Sequence, residues 1–191
     1  YVWVDALTNY ITAAGYPDTS AERWRFWPAD VHFVGKDIVR FHTIYWPAML
    51  LAAGLPLAKR VFAHGWWTNE GQKISKSLGN VIDPVALVEE YGLDPVRYFL
   101  LREVPFGQDG DFSRKSLVSR LNGELADALG NLANRTLSLI QRNCGGELPE
   151  AGDPAVGGAF LEGVAALPGQ VRDRLDRQEF HLALEAIMAS V

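Results

Sequence analysis

Apolar residues in the first 64 positions alternate between short strand-like runs and longer helical stripes. Runs rich in β-branched and aromatic side chains predict strands at residues 1–6, 31–34 and 60–63. Between them, helical spacing predicts helices at residues 7–14 and 37–53; His42 lies on the same stripe as the apolar residues of the second helix. Strands that alternate with helices in this way indicate an α/β fold with a parallel sheet.

The remaining two thirds of the chain read as helical. Asp83-Pro84 and Asp94-Pro95 each place a capping carboxylate before a proline, which predicts two short helices, the first ending at Gly92. Residues 105–112 read as a loop or a short strand. Ser113 is the expected cap of a long helix that runs to about residue 143, and two more amphipathic helices follow, at residues 160–175 and from about residue 179. Three such helices in succession indicate a helical bundle.

The predicted strand ends carry polar residues. Asp5, Gly35-Lys36-Asp37 and His64-Gly65 each follow a predicted strand. Because ligands of parallel sheets bind beyond the carboxyl ends of the strands, we expect these residues to lie on one rim and to face one crevice.

Composition excludes several classes of protein. The chain has 191 residues, a formal net charge of −5 and one cysteine, Cys144. The acidic charge argues against general nucleic-acid binding, so any RNA contact must come from local basic groups. A lone cysteine excludes an internal disulfide framework and fits a reducing cytoplasm, and no apolar run approaches the ~18 residues of a membrane span. The sequence begins at Tyr1 within the first predicted strand, and the last helical pattern reaches Val191 without a cap. We therefore expect an internal fragment of a longer protein.

Residues 71–80, which we call the lysine loop, carry the most distinctive pattern. Gly71 and Gly79 flank two lysines and two serines, which are Lys73, Ser75, Lys76 and Ser77. A doubly cationic loop with glycines on both sides suits a polyphosphate whose charge grows in a transition state. On composition alone, a solvated surface loop is the commoner explanation.

The sequence of this loop resembles a family motif. Lys73-Ile74-Ser75-Lys76-Ser77 is similar to the Lys-Met-Ser-Lys-Ser loop of class I aminoacyl-tRNA synthetases, and the flanks at residues 64–66 and 79–84 resemble that family too. In the family the loop closes over the phosphates of ATP during amino-acid activation. The resemblance therefore implies catalytic roles for Lys73, Ser75, Lys76 and Ser77, with Lys76 the first choice for direct phosphate contact.

Two further stretches, residues 1–10 and 35–48, resemble the methionyl-tRNA synthetases more than the leucine, isoleucine, valine or cysteine enzymes. The resemblance implies a pocket for the methionine side chain, lined by Trp3, Ala6, Leu7, Tyr10, Ile38 and His42. It also implies an ATP or adenosine site, formed by Lys76 together with Gly35, Asp37, His64 and Gly65. Leu7 departs from the proline that some family members carry at this position.

Several of these residues have a simpler structural explanation. An aromatic residue such as Trp3 is more often part of a core, Asp37 suits a helix N-cap, and a lone His64 beside a sheet is more often packed than catalytic. Asn131 and Arg135 lie four residues apart, so they share a helix face, which spacing alone explains as a solvated surface. The resemblance instead maps residues 131–135 onto the helix that reads the tRNA anticodon.

Taken over the whole chain, the resemblance implies the second half of a Rossmann-like nucleotide-binding domain at residues 1–82, a linking, stem-contact-like region at residues 83–113, and the start of an anticodon-binding bundle at residues 114–191. It implies methionine activation with ATP and transfer to tRNA(Met). Mg²⁺ would arrive with ATP, and no protein-bound metal is expected. The family's first nucleotide-binding half and its zinc-bearing insertion are not in the chain, so these residues alone are expected to be inactive.

Two alternatives remain open at this point. The first is a stand-alone RNA-binding module with a relict nucleotide site, which the acidic charge favours. The second is a related class I synthetase for leucine, isoleucine or valine.

Overall fold

The computed structural model describes residues 2–150, 152 and 156–191, with no account of the Val2 side chain. The chain divides into two compact units, Tyr1–Trp66 and Trp67–Val191. The predicted domain boundaries at residues 82 and 113 stay predictions.

The first element corrects the sequence prediction. Helix α1, Val2–Ala14, occupies the segment expected to begin with a strand, and Tyr1 lies outside the described residues. Leu7, Ile11 and Ala14 are all buried, at spacings of four and three residues. Burial of this helical stripe outweighs the strand propensity of the valines at the start of the helix, because β propensity is a weak, context-dependent preference.

The two other predicted strands of this unit are confirmed. Strands β1, Val31–Gly35, and β2, Arg60–His64, pair in parallel, with Gly35 opposite His64. The sheet has two described strands rather than the three expected, because the first segment is helical. Asp5 consequently lies inside α1 and not beyond a strand end, whereas Gly35 and His64 do lie at the carboxyl ends of their strands.

The helix predicted at residues 37–53 is divided into three parts. A 3-10 turn spans Lys36–Ile38, a π-helical turn spans Phe41–Tyr45, and helix α2 spans Trp46–Ala52. Pro47 lies in the first turn of α2 and has no N–H to continue the preceding hydrogen bonds, which accounts for the predicted break at this proline. Trp46 and Leu50 of α2 join the buried residues of α1 and Trp27 in one apolar cluster.

The second unit begins with a small mixed sheet. Strand β3, Trp67–Asn69, lies between β4, Gln72–Lys73, and β5, Gly110–Phe112; it is antiparallel to β4 and parallel to β5. The strand alternative for residues 105–112 is therefore confirmed. Lys73 ends β4, so the rest of the lysine loop follows a strand.

Two short helices come next, as predicted, with one difference at a cap. Helix α3, Pro84–Tyr91, begins at Asp83, whose Oδ1 accepts the Val85 N–H at 2.9 Å. Helix α4 spans Leu93–Arg102. Gly92, at φ +90°, turns the chain so tightly that α4 begins at once, and Asp94 lies inside its first turn instead of capping it.

The long helical segment is also confirmed, as α5, Arg114–Arg120, a π-helical stretch, Leu121–Gly130, and α6, Asn131–Asn143. Ser113 does not cap it with its side chain; Glu70 Oε1 accepts the Arg114 N–H at 3.0 Å instead.

Helices α7, Gly158–Asp176, and α8, Phe180–Met188, complete the unit, and α8 ends before Val191. The buried core of this unit consists of Leu87, Val96, Phe99, Phe112 and Leu117. Among the described residues, none of the helices combines the length and the apolar character that crossing a membrane requires. The coarse α/β assignment is confirmed.

Candidate functional site

A hydrogen-bonded chain joins α1 to the irregular helix that follows β1. The Tyr10 hydroxyl lies 2.8 Å from His42 Nε2, and His42 Nδ1 lies 3.0 Å from the Ile38 carbonyl oxygen. Since a carbonyl only accepts, Nδ1 carries a proton, and the second hydrogen bond of the ring joins Nε2 to the Tyr10 hydroxyl. Burial raises the pKa of Tyr10, which keeps this hydroxyl protonated.

Trp3 adds an aromatic wall beside this chain. Its ring stacks on Phe41, with centroids 4.1 Å apart, and meets His42 edge-on at 6.5 Å. Tyr10 in turn lies 6.0 Å from the ring of Trp46. We call Trp3, Tyr10, Phe41 and His42 the aromatic cluster. It gathers side chains from two elements into one apolar surface with a single polar seam.

The structure places the six predicted methionine-pocket residues in different surroundings. Trp3, Tyr10, His42 and the Ile38 carbonyl are brought together, as described. Leu7 is 1% exposed and packs in the core, with Trp3 against the same apolar cluster, while Ala6 is exposed on α1. Their role in binding methionine stays a prediction. Sequence reasoning missed Phe41 and Trp46, although Trp46 follows His42 by one helical turn on a stripe that was already recognised.

A concavity borders Tyr10. It encloses about 320 Å³ and is lined chiefly by apolar and aromatic side chains, with His32 and Arg23 as its basic members. The pKa of His32 is lowered by burial and by the neighbouring His42, so His32 is held in its neutral form. Sequence analysis did not single out this histidine, because it falls inside a strand without a motif around it.

The predicted adenosine residues gather at the carboxyl ends of β1 and β2. A Cβ at Gly35 would come within 2.6 Å of Asp37 Oδ1 and 3.9 Å of the His64 ring. Gly35 is therefore the residue that lets the Asp37 carboxylate fold back over the strand end. Asp37 lies inside the 3-10 turn and does not cap it, which makes the helix-cap explanation wrong. His64 Nδ1 lies 2.9 Å from the Gly65 carbonyl oxygen, a fixed and partly buried contact.

The lysine loop has a different construction. Lys76 opens a 3-10 turn, Lys76–Leu78, which the Ser75 hydroxyl caps by accepting the Ser77 N–H at 3.2 Å. The two serine hydroxyls also bond each other at 2.6 Å. Lys73 and Lys76 are exposed, and neither ammonium has an ion-pair partner within the described part of the chain. Both cations are thus available to an anion, while both serines shape the turn.

Asn131 and Arg135 lie on α6, and both are exposed. Arg135 borders a shallow groove of about 350 Å³ together with Asn134, Ser138, Leu139 and Arg142. Asn131 is not among the residues that line it. The groove presents two guanidinium groups and two hydrogen-bonding side chains on one helix face.

The aromatic cluster belongs to the first unit and the lysine loop to the second, and their convergence on one cleft stays a prediction. No group of three His, Cys, Asp or Glu side chains suited to a metal occurs in the described ranges.

Comparison with known proteins gives consistent matches. The family described as tRNA synthetases class I (M) matches residues 1–137. The methionine–tRNA ligase of Brucella suis biovar 1 (strain 1330) is 59% identical over 192 residues, covering 100% of this chain and 37% of the relative. The corresponding ligase of Mesorhizobium japonicum is 60% identical over 188 residues, covering 98% and 36%.

Solved structures agree with these relatives. Mycobacterium tuberculosis methionyl-tRNA synthetase in complex with methionyl-adenylate matches with a TM-score of 0.92 and 55% identity, covering 100% of this chain and 38% of the other. Its apo form matches with a TM-score of 0.88 and 52% identity. The chain spans a little over a third of the length of the relatives it matches. With a family match across residues 1–137 and relatives near 60% identity, this chain belongs to the class I tRNA synthetases (M).

Proposed function

We propose that the protein carrying this chain is a methionine–tRNA ligase, which converts methionine and ATP to methionyl-adenylate and pyrophosphate and then transfers the methionyl group to the 3′ end of tRNA(Met). The relatives named above support this reaction, and they extend well beyond the 191 residues considered. The observation that carries the proposal is the Tyr10–His42 hydrogen bond beside the Trp3 ring, because it builds an apolar, aromatic surface suited to a thioether.

Methionine binding would use this surface. A thioether sulfur is polarizable, and its contacts with aromatic rings are worth roughly 0.3–1.5 kcal/mol. The Tyr10 hydroxyl is already hydrogen-bonded to His42, so the sulfur would chiefly meet ring surfaces. Ala6 would extend the wall from α1, and the buried Leu7 would support it from the core. Apolar pockets of this kind discriminate only modestly between side chains of similar size.

The chemical step needs no protein nucleophile. The methionine carboxylate would attack the α-phosphorus of ATP, and pyrophosphate would leave with the electron pair of the broken P–O bond. Lys76 and Lys73 would stabilise the charge that grows on the phosphates, which lowers the barrier when the contact is strongest in the transition state. Mg²⁺ would enter on the phosphates of ATP.

Adenosine would lie against the carboxyl ends of β1 and β2. Gly35 leaves room for close approach, and the exposed Asp37 carboxylate can accept ribose hydroxyls. His64 and Gly65 would border the same site. We assign residues 1–82 to the second half of a Rossmann-like domain on the family resemblance, and the Lys76 contact requires the lysine loop to reach the same nucleotide.

The tRNA would contact the helical part of the chain. Residues 83–113 would form a stem-contact-like link and residues 114–191 the start of the anticodon-binding bundle. Arg135 can stack on an unpaired base or bind phosphate, and Asn131 can pair with a base edge. The single Cys144 fits a reducing compartment, and we place the reaction in the cytoplasm.

Methionine-dependent exchange of pyrophosphate into ATP tests the proposal. The gene product that carries these residues should be expressed at its natural length and assayed with methionine, leucine, isoleucine and valine in competition. We expect methionine to be preferred. Preference for another amino acid would assign a related synthetase, and absence of exchange with tRNA binding retained would favour the RNA-binding module. The isolated 191 residues are expected to show no exchange.

A substitution at Tyr10 sharpens the same test. Tyr10→Phe removes the hydroxyl that orients His42 beside the predicted pocket, so we expect the KM for methionine to rise several-fold. The KM for ATP should stay unchanged. Tyr16→Phe, at an exposed tyrosine of the same unit, is the control. Equal KM values for methionine in both variants would remove Tyr10 from the pocket.

A further inference from the structure

The lysine loop is closed by a single side-chain amide. Asn80 Oδ1 accepts the Ser75 N–H at 2.8 Å, and Asn80 Nδ2 donates to the Lys73 carbonyl oxygen at 3.1 Å. These are a donor and an acceptor of the loop backbone on either side of Ile74. The amide therefore pairs with the loop as a neighbouring β-strand would, and it fixes the backbone between the two lysines.

Asn80 is itself held by the small sheet. Asn69 Nδ2 donates to the Asn80 carbonyl oxygen at 2.8 Å, and Asn69 lies on β3, paired with both β4 and β5. At the other end of the hairpin, Asp111 accepts the Gly71 N–H at 2.8 Å and the Thr68 hydroxyl. The support for Asn80 thus rests on three paired strands.

The lysine side chains have no such support. Both ammonium groups are exposed, and no ion pair within the described ranges directs them. Their position is set by the backbone from which they extend. Among the contacts described for this loop, those of Asn80 are the ones that join the Lys73 backbone to the turn that carries Lys76.

We propose that Asn80 is a positioning residue for the phosphate-binding lysines, one that holds Lys73 and Lys76 at a fixed separation through the Lys73 carbonyl and the Ser75 amide. The proposal rests on the function proposed above. Asn80 does not touch the reacting atoms. It acts through the backbone, so its effect belongs to the transition state, in which the lysine positions matter most, and not to methionine binding.

An amide side chain fits this position because it offers both an acceptor for the Ser75 N–H and a donor for the Lys73 carbonyl oxygen. Aspartate has nearly the same shape and keeps an acceptor for the Ser75 N–H, but it replaces the Nδ2 donor with an oxygen that faces the Lys73 carbonyl oxygen. Alanine removes both bonds. The three side chains therefore form a graded series in which the two bonds are broken one after the other.

The experiment compares Asn80→Asp and Asn80→Ala with Gln108→Glu in the natural-length gene product. Gln108 is exposed, belongs to the same unit and lies outside the lysine loop, so Gln108→Glu adds a negative charge without touching the amide. We expect the kcat of methionine-dependent pyrophosphate exchange to fall about tenfold in Asn80→Ala and by a smaller factor in Asn80→Asp, with the KM for methionine unchanged, because mispositioned groups chiefly lower the rate of the chemical step. A kcat for Asn80→Ala equal to that of Gln108→Glu, or a loss seen only in the KM for methionine, would overturn the proposal.

Hydrogen exchange provides a readout that does not depend on activity. In the wild-type protein the Ser75 amide should exchange slowly, and in Asn80→Ala it should exchange about as fast as an unbonded amide, while Asn80→Asp retains partial protection. If the wild type shows no pyrophosphate exchange, the proposed function fails, and this measurement still tests the amide bridge. If the wild type is active but the Ser75 amide is equally protected in Asn80→Ala, the bridge fails and the proposed function stands.

Discussion

The aromatic cluster and the lysine loop hold their side chains by opposite means. In the aromatic cluster, rings pack on one another and the polar atoms bond each other, so that His42 is 2% exposed. In the lysine loop the functional groups are in solvent, and the hydrogen bonds run through the backbone, two serines and Asn80. Packing positions the first set of groups, and main-chain geometry positions the second.

This difference determines what a substitution changes. On the proposed function, removing a packed side chain from the aromatic cluster or from the core beneath it should lower stability together with methionine binding. Removing an exposed ammonium should lower the reaction rate and leave folding almost untouched, because surface substitutions usually change stability by less than about 0.5 kcal/mol. The two regions can therefore be separated by measuring stability and activity on the same variants.

The largest expected effect on stability is at Leu7. Leu7→Ala removes a buried side chain from the α1 core and should lower the free energy of unfolding by about 2–5 kcal/mol. Val4→Ala, on the same helix but at a side chain that is 55% exposed, is the control and should cost far less. Denaturant unfolding measures both. Equal costs, combined with a higher KM for methionine in Leu7→Ala, would make Leu7 a pocket wall rather than a core residue.

The next largest effect is on the rate of methionine-dependent pyrophosphate exchange. Lys76→Ala should lower the kcat of methionine-dependent pyrophosphate exchange about 10²–10³-fold, the loss typical of one donor to a developing charge. The unfolding midpoint should not move. Lys115→Ala removes an exposed lysine of the same unit and should leave the rate unchanged. A similar loss at Lys115 would show that total positive charge, rather than the position of Lys76, accounts for the effect.

The two regions were not equally predictable from the sequence. The Lys/Ser pattern was recognisable because the loop needs its residues consecutively, as a motif of ten positions. The aromatic cluster joins residues 3 and 10 to residues 41 and 42. The helix predicted at residues 7–14 is confirmed, but the first turns of α1 were mistaken for a strand. Trp3 and the two valines beside it favour a strand when read locally, whereas the helix that begins there packs Leu7, Ile11 and Ala14 into one cluster with Trp46, more than 30 positions along the chain.

A contact over a long sequence separation explains the error at Ser113 as well. Serine is a residue type typical of N-caps, so Ser113 was predicted to cap the helix. Nothing near it in the sequence reveals that Glu70 accepts the Arg114 N–H instead. Asn80 was included in the motif only as a flank, because its two hydrogen bonds depend on how the loop turns. Asp83, whose partner lies two residues away, was predicted correctly. A cap whose partner lies within a few residues can be predicted from the sequence, whereas a cap supplied by a side chain of another element cannot.

A smaller effect, on stability, tests whether Glu70 rather than Ser113 caps α5. Glu70→Ala removes the acceptor of the Arg114 N–H and should lower the free energy of unfolding by about 0.5–2 kcal/mol. Ser113→Ala should cost almost nothing, because its hydroxyl accepts no helix N–H. Glu70 has φ +49°, and alanine carries the same Cβ there, so backbone strain does not distinguish glutamate from alanine at this position. A larger loss in Ser113→Ala than in Glu70→Ala, measured by denaturant unfolding, would contradict the assignment.

The smallest effect is a pH dependence of the free energy of unfolding, which we expect from His32 beside the aromatic cluster and not from the lysine loop. Burial and the neighbouring His42 lower the pKa of His32 below its ordinary value of 6.5, with Tyr10 and Trp27 as the other rings around it. Below that value the unfolded chain binds a proton that the folded chain resists, so the free energy of unfolding should fall as the pH drops from 6.5 towards the lowered pKa.

Unfolding followed from about pH 7 to about pH 5 should therefore show a steeper slope in the wild type than in His32→Gln, whatever the absolute cost of that substitution. Residues 67–82 contain no histidine, so hydrogen exchange in the lysine loop should not follow this slope. An identical slope in wild type and variant would mean that His32 is protonated as easily in the folded protein as in the unfolded chain, and the dry, packed character assigned to this region would then be wrong.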